Sequence, residues 1–179
     1  MARAEPGPSR DPEVARIRQR LARMAPQSKA LQVACARYDD GAAKFDLELW
    51  EAAFTSADPR TINHVLEVTG GYVGLVNHLV EMVRSGAALA GLALAQGRAR
   101  PSAPDLIAAV RDDGCFTDNQ ADVLIRLNGT RNRLQHASPG VPADEVHERV
   151  RLLLQTLPRL LGSYLRWMED RGVRLLAAE

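Results

Sequence analysis

From Pro59 to roughly Leu94 the chain carries its longest helical pattern. Ile62, Val65, Leu66, Thr69, Val73, Val76, Val80, Val83 and Ala87 recur at a period near 3.6, which puts them on one face of one long helix. Asp58 is placed to cap its start, and Pro59 suits the first turn, where a missing N–H costs nothing. Gly70, Gly71 and Gly74 interrupt the run, each weakening a helix by up to about 1 kcal/mol relative to Ala. Close approach of a neighbouring helix would account for them, and so would a kink; the pattern alone leaves both open.

The remaining segments are also helical. Val14, Ile17, Leu21 and Met24 predict a helix from Asp11 to about Met24, with Arg16, Arg18, Arg20 and Arg23 between the apolar positions. Pro26 is expected to break it, and a second helical stretch follows from about Ser28 to Tyr38. A turn at Asp39-Asp40-Gly41 leads to a short amphipathic helix from Phe45 to Phe54. Gly97 to Pro104 reads as a loop. Ser102 then caps a short helix to Asp113, with Asp105 in the capping-box position and Gly114 as the stop. Thr117-Asp118-Asn119-Gln120 is a cleaner capping box, opening a helix whose buried side is Val123, Leu124, Leu127 and Leu134. A last helix follows Val141-Pro142, with Val146, Val150, Leu153, Leu157, Leu160, Tyr164 and Met168 inward and a bend expected at Pro158.

Composition agrees with an all-α fold. Of 179 residues 46% are apolar but only 4% aromatic, so strand formers are sparse. The expected architecture is an up-and-down four- to five-helix bundle, with residues 1–11 as a disordered tail and 12–174 as a single domain. A net charge of +1 predicts no general affinity for nucleic acid, so any RNA contact must be local. Residues 1–37 hold eight basic side chains against three acids, which suits either an RNA-facing surface or a solvated helix face. Cys35 and Cys115 stand alone, without the spacing of a disulfide framework or a zinc site, and no metal or other cofactor is expected. His64 and His78 lie about four turns apart, too far for one metal site without partners. With no apolar leader and no stretch of roughly 18 apolar residues, the chain is expected to be cytoplasmic and to have no membrane partner.

The candidate site is Arg131-Asn132-Arg133-Leu134-Gln135-His136, directly ahead of Ser138-Pro139-Gly140. An arginine that holds a phosphate beside a histidine that moves protons is a minimal kit for cleaving RNA. The same two residues are equally at home capping carbonyls and making local hydrogen bonds at a helix end. Five positions turn a side chain by about 140°, so Arg131 and His136 do not share a face of an ideal helix. Two arrangements reunite them. Either the helix unwinds before His136, or two copies of the chain each supply residues to a shared cleft, which requires a two-fold dimer.

The hexapeptide resembles the Arg-x4-6-His signature of HEPN domains, in which a polar residue often follows the arginine. It is most similar to that of the HepT-like toxins, where the motif reads approximately RNxLVHxY. The run from Phe45 to Val83 is similar to the family's short helix, Asp-Pro-like start and long helix. The run from Arg100 to His136 resembles its loop, short helix, glycine turn and motif helix, in the same order. The resemblance spans roughly residues 45–168. It implies a HEPN-like helical bundle, a homodimer with motif helices lining a common cleft, and metal-independent endoribonuclease activity. Carried over, Arg131 binds the scissile phosphate and stabilises developing charge, and His136 is general base or acid for attack by the ribose 2′-hydroxyl. The product is a 2′,3′-cyclic phosphate. Asn132 positions the motif or substrate, and Arg133 and Arg126 are candidate phosphate contacts that solvent exposure explains equally well.

The chain departs from the family at two places. Gln135 replaces the usual aliphatic residue before the histidine. Ser138 stands where the toxins often carry a tyrosine to which a nucleotidyltransferase antitoxin adds AMP, leaving a serine hydroxyl as the candidate modification site. The expectation is a ribonuclease toxin of a toxin–antitoxin or phage-defence system, with RNA as substrate and a nucleotidyltransferase-like antitoxin as candidate partner. The alternative is a HEPN-like helical protein that has lost catalysis and serves as a binding or scaffold partner.

Overall fold

A computed structural model describes residues 12–92, 94, 101–136 and 140–175. The expected tail at 1–11, residues 97–100 of the expected loop, and Ser138 and Pro139 lie outside the described residues. Among those described the protein is all-α, with six α-helices, a 3-10 turn and no strand. The helices are α1 (Pro12–Cys35), α2 (Leu47–Phe54), α3 (Pro59–Leu89), α4 (Ala103–Asp112), α5 (Asp118–Gln135) and α6 (Ala143–Glu169); the 3-10 turn, Ala36–Tyr38, follows α1.

The break expected at Pro26 is absent: α1 runs straight through it. Pro26 is exposed, as is Ala22, whose carbonyl would have taken the missing N–H. The buried face meanwhile continues on both sides of the proline, with Val14, Ile17 and Met24 before it and Leu31, Ala34 and Cys35 after. Burial of that face outweighs one lost hydrogen bond to a solvated carbonyl.

Helix α3 packs against each of the other five helices, α1 most extensively. It starts as expected, with the Asp58 carboxylate accepting the Thr61 N–H at 2.8 Å and Pro59 in the first turn. It ends five residues short of Leu94. Gly91 adopts φ +70°, and the N–H groups of Gly91 and Leu92 turn back to the carbonyls of Ala88 and Ala87. The expected apolar face needs correction too, since Ile62 and Leu66 are 41% and 59% exposed. Val76, Val80, Val83 and Ala87 are buried as expected, and the buried side is wider, taking in Val68, Tyr72, Leu75, Leu79, Met82 and Gly86 as well. Tyr72 qualifies because its hydroxyl donates to the Leu127 carbonyl at 2.6 Å. Close approach explains Gly71, where an added Cβ would lie 3.3 Å from Leu31 Cδ1 on α1.

Helices α4 and α5 start at Ser102 and Thr117 as expected. Gly114, at φ +86°, closes α4. Thr117 and Gln120 exchange reciprocal capping bonds, and Val123, Leu124 and Leu127 are buried while Leu134 is half-buried. All seven inward positions expected of α6 are buried, and the helix continues through Pro158. One contiguous core joins the helices. Cys35 and Cys115 are buried free thiols; burial pushes Cys35 up to about 12 and Cys115 upward as well.

Candidate functional site

The Thr117 capping box sets the register of α5. With Leu124 and Leu127 turned into the core, the polar residues that follow emerge at its C-terminal end. Arg131 is half-buried there, and its Nη1 donates to the Asn132 side-chain oxygen at 2.6 Å. His136 is exposed and ends the helix; its backbone N–H donates to the Asn132 carbonyl at 3.1 Å. Asn132 therefore bonds both candidate catalytic residues, one through its side chain and the other through its backbone.

The helix does not unwind before His136, because that N–H still closes a regular i to i−4 turn. Within one chain the side chains of Arg131 and His136 thus leave α5 about 140° apart. Arg126 and Arg133, seven positions apart, lie within about 20° of each other on the helix, and His136 is about 60° from Arg133. One chain therefore groups His136 with Arg133 and Arg126, not with Arg131.

Arg133 is already engaged. It forms an ion pair with Glu145 in the first turn of α6, and the same carboxylate accepts the Thr130 hydroxyl at 2.7 Å. Thr130 is buried and Glu145 is 20% exposed, so this is a clamp between α5 and α6 shielded in part from water. Arg126 is exposed and makes no hydrogen bond or ion pair among the described residues. Gly129 is exposed, with no atom within 4 Å of where a Cβ would stand.

Glu145 and Thr130 escaped the sequence reading. The only available signal was the acidic pair Asp144-Glu145 opening a helix behind a basic one. Asn128 also emerges here: it is 2% exposed, one turn ahead of Arg131, and its side-chain oxygen has no hydrogen-bond partner. His147 is buried and serves the loop before α2, its Nε2 meeting the Phe45 carbonyl and its ring lying 4.6 Å from the Phe45 ring. His78 faces Arg20 of α1 at 3.3 Å, and burial, with Arg20 and Arg23, lowers its pKa. Among the described residues no group of three or more His, Cys, Asp or Glu is placed to hold a metal ion, and no helix is long and apolar enough to cross a membrane.

Comparison with known proteins finds no matching family model, no matching characterised protein and no matching solved structure.

Proposed function

We propose that this protein is a metal-independent endoribonuclease of the HEPN class, an up-and-down helical bundle that works as a homodimer in a toxin–antitoxin or phage-defence system. The observation that carries this reading is the end of α5, where Asn132 holds the guanidinium of a half-buried Arg131 and the helix stays closed up to an exposed His136. Asn132 steadies a half-buried guanidinium, while His136 stands in water, where a ring nitrogen can exchange protons with substrate.

In the proposed reaction Arg131 holds the scissile phosphate and stabilises the charge that accumulates on its oxygens. One histidine takes the proton of the ribose 2′-hydroxyl as its oxygen attacks phosphorus. The bond from phosphorus to the 5′-oxygen breaks, and that oxygen leaves with a proton from a general acid. The products are a 2′,3′-cyclic phosphate and a 5′-hydroxyl, and DNA, lacking the 2′-hydroxyl, is not a substrate. Because α5 stays helical to its end, the phosphate-binding arginine and the histidine are assigned to different chains of a dimer. Arg126, which makes no hydrogen bond or ion pair among the described residues, is the candidate phosphate contact, with Arg133 tied to Glu145. A nucleotidyltransferase-like antitoxin and modification at Ser138 belong to the same proposal.

Arg131→Ala and His136→Ala are each expected to lower RNA cleavage by about 10²- to 10⁴-fold with the fold intact. Undiminished cleavage by the double variant would sink the assignment. A monomeric mass by light scattering would remove the shared cleft. If wild-type protein cuts none of a broad set of RNAs, the scaffold reading takes its place.

A further inference from the structure

A cavity of about 500 Å³ lies between the C-terminal end of α1, the loop ahead of α2 and the middle of α6, on residues not used by the proposed ribonuclease site. Its apolar lining includes Phe45, Cys35 and Leu154, the first two buried and the third half-buried. Its polar lining is made of exposed side chains. Lys44, Arg151, Gln32 and Gln155 all line the cavity, and none makes a hydrogen bond or ion pair among the described residues.

Asp39, the acid in the lining, makes no ion pair with Lys44 or Arg151 among the described residues, and its charge offsets one of the two cations. Asp39 Oδ1 accepts the Phe45 N–H at 2.8 Å, which fixes the carboxylate to the loop backbone. Phe45 itself sits at φ +53°, in a region costly for a residue with a side chain, and is tied at its carbonyl to His147. The aromatic wall of the cavity is thereby held in place from both its N–H and its C=O. An adjoining cavity of about 240 Å³ shares Arg151 and Gln155, and its acid, Glu148, is paired with Arg149.

We propose that this cavity is a binding site for a small organic anion with a flat apolar body, which lies against Phe45 and Leu154 while its carboxylate or phosphate takes the free donors of Lys44 and Arg151. The volume is that of small-molecule sites generally, and an apolar wall with a few convergent donors is their usual construction. A charged head that meets a guanidinium and an ammonium gains charge-assisted hydrogen bonds, and the ring supplies the buried apolar area.

Titration calorimetry of the full chain with 1-naphthyl phosphate tests this directly. One site per chain is expected, weakened about tenfold or more by Lys44→Ala and by Arg151→Ala, each of which removes an exposed side chain. Inorganic phosphate and 1-naphthol, which carry the head and the body separately, are expected to bind at least about tenfold more weakly than the whole probe. Leu154→Trp, which fills the cavity from its apolar wall, is expected to block binding while the melting transition shows a folded chain. Failure of the probe to bind at millimolar concentration, or unchanged affinity in the Lys44→Ala, Arg151→Ala double variant, overturns the proposal. So does equal binding of 1-naphthol. Loss of binding in Arg131→Ala would transfer the probe to the ribonuclease site and overturn it as well, whereas unchanged binding there supports a separate site even if RNA cleavage fails.

Discussion

A methyl group added at Gly86 would stand 2.6 Å from Tyr164 Oη and 2.8 Å from Trp167 Cζ3. Neither ring is free to swing away. Tyr164 donates to the Met82 carbonyl at 2.7 Å, and Trp167 Nε1 donates to the Asp113 carboxylate at 3.0 Å. Gly86→Ala is therefore expected to destabilise the protein by about 1–3 kcal/mol. Gly70→Ala, where no atom lies within 4 Å, should instead stabilise it by up to about 1 kcal/mol. Urea denaturation of the two variants checks the contrast, and equal midpoints would refute the packing argument. The sequence drew attention to Gly70, Gly71 and Gly74 and passed over Gly86, because local periodicity carries no information about rings arriving from a helix roughly eighty positions away. The same limit applies at the candidate site. Arg131, Asn132 and His136 were proposed from a motif of six consecutive residues, whereas the Glu145 that engages Arg133 comes from the next helix.

Helix boundaries were legible where a side chain writes them. Asp58, Ser102 and Thr117 cap the helices they were expected to cap, and Gly114 closes α4. Boundaries set by packing were not: α1 passes Pro26 because its buried face continues, and of the expected stripe of α3 neighbours cover Val76, Val80, Val83 and Ala87 while leaving Ile62 and Leu66 exposed. Thr117 is the cap with the largest reach. Its partner Gln120 also donates to Ser163 Oγ on α6 at 2.9 Å, so the start of the motif helix is linked to its neighbour. Thr117→Ala is expected to cost about 0.5–2 kcal/mol in thermal or urea unfolding. Thr117→Ser, which keeps the hydroxyl acceptor, should recover most of it. A serine variant as unstable as the alanine one would count against the capping account.

At the scale of the whole molecule, composition predicted the helical class, but not that one helix would touch all five others. The contact between α1 and α3 carries a pH dependence. His78 is held below its ordinary value of 6.5 by burial first, then by Arg20 and Arg23. As pH falls the unfolded chain takes up this proton before the folded one, so the histidine's contribution is complete above 6.5 and lost below it. Denaturation midpoints should drop between pH 7.5 and 5.5 in the wild type and drop less in His78→Gln; parallel curves would exclude His78 as the source. Burial has a different consequence for the two thiols. Cys35 ends α1 and Cys115 joins α4 to α5, both closed to solvent and both kept protonated in the folded state. Alkylating reagents need exposed thiolate, so their access to each sulfur is governed by how often that part of the chain opens. The protein thus carries two native clocks of local breathing, at the end of α1 and at the entrance to the motif helix.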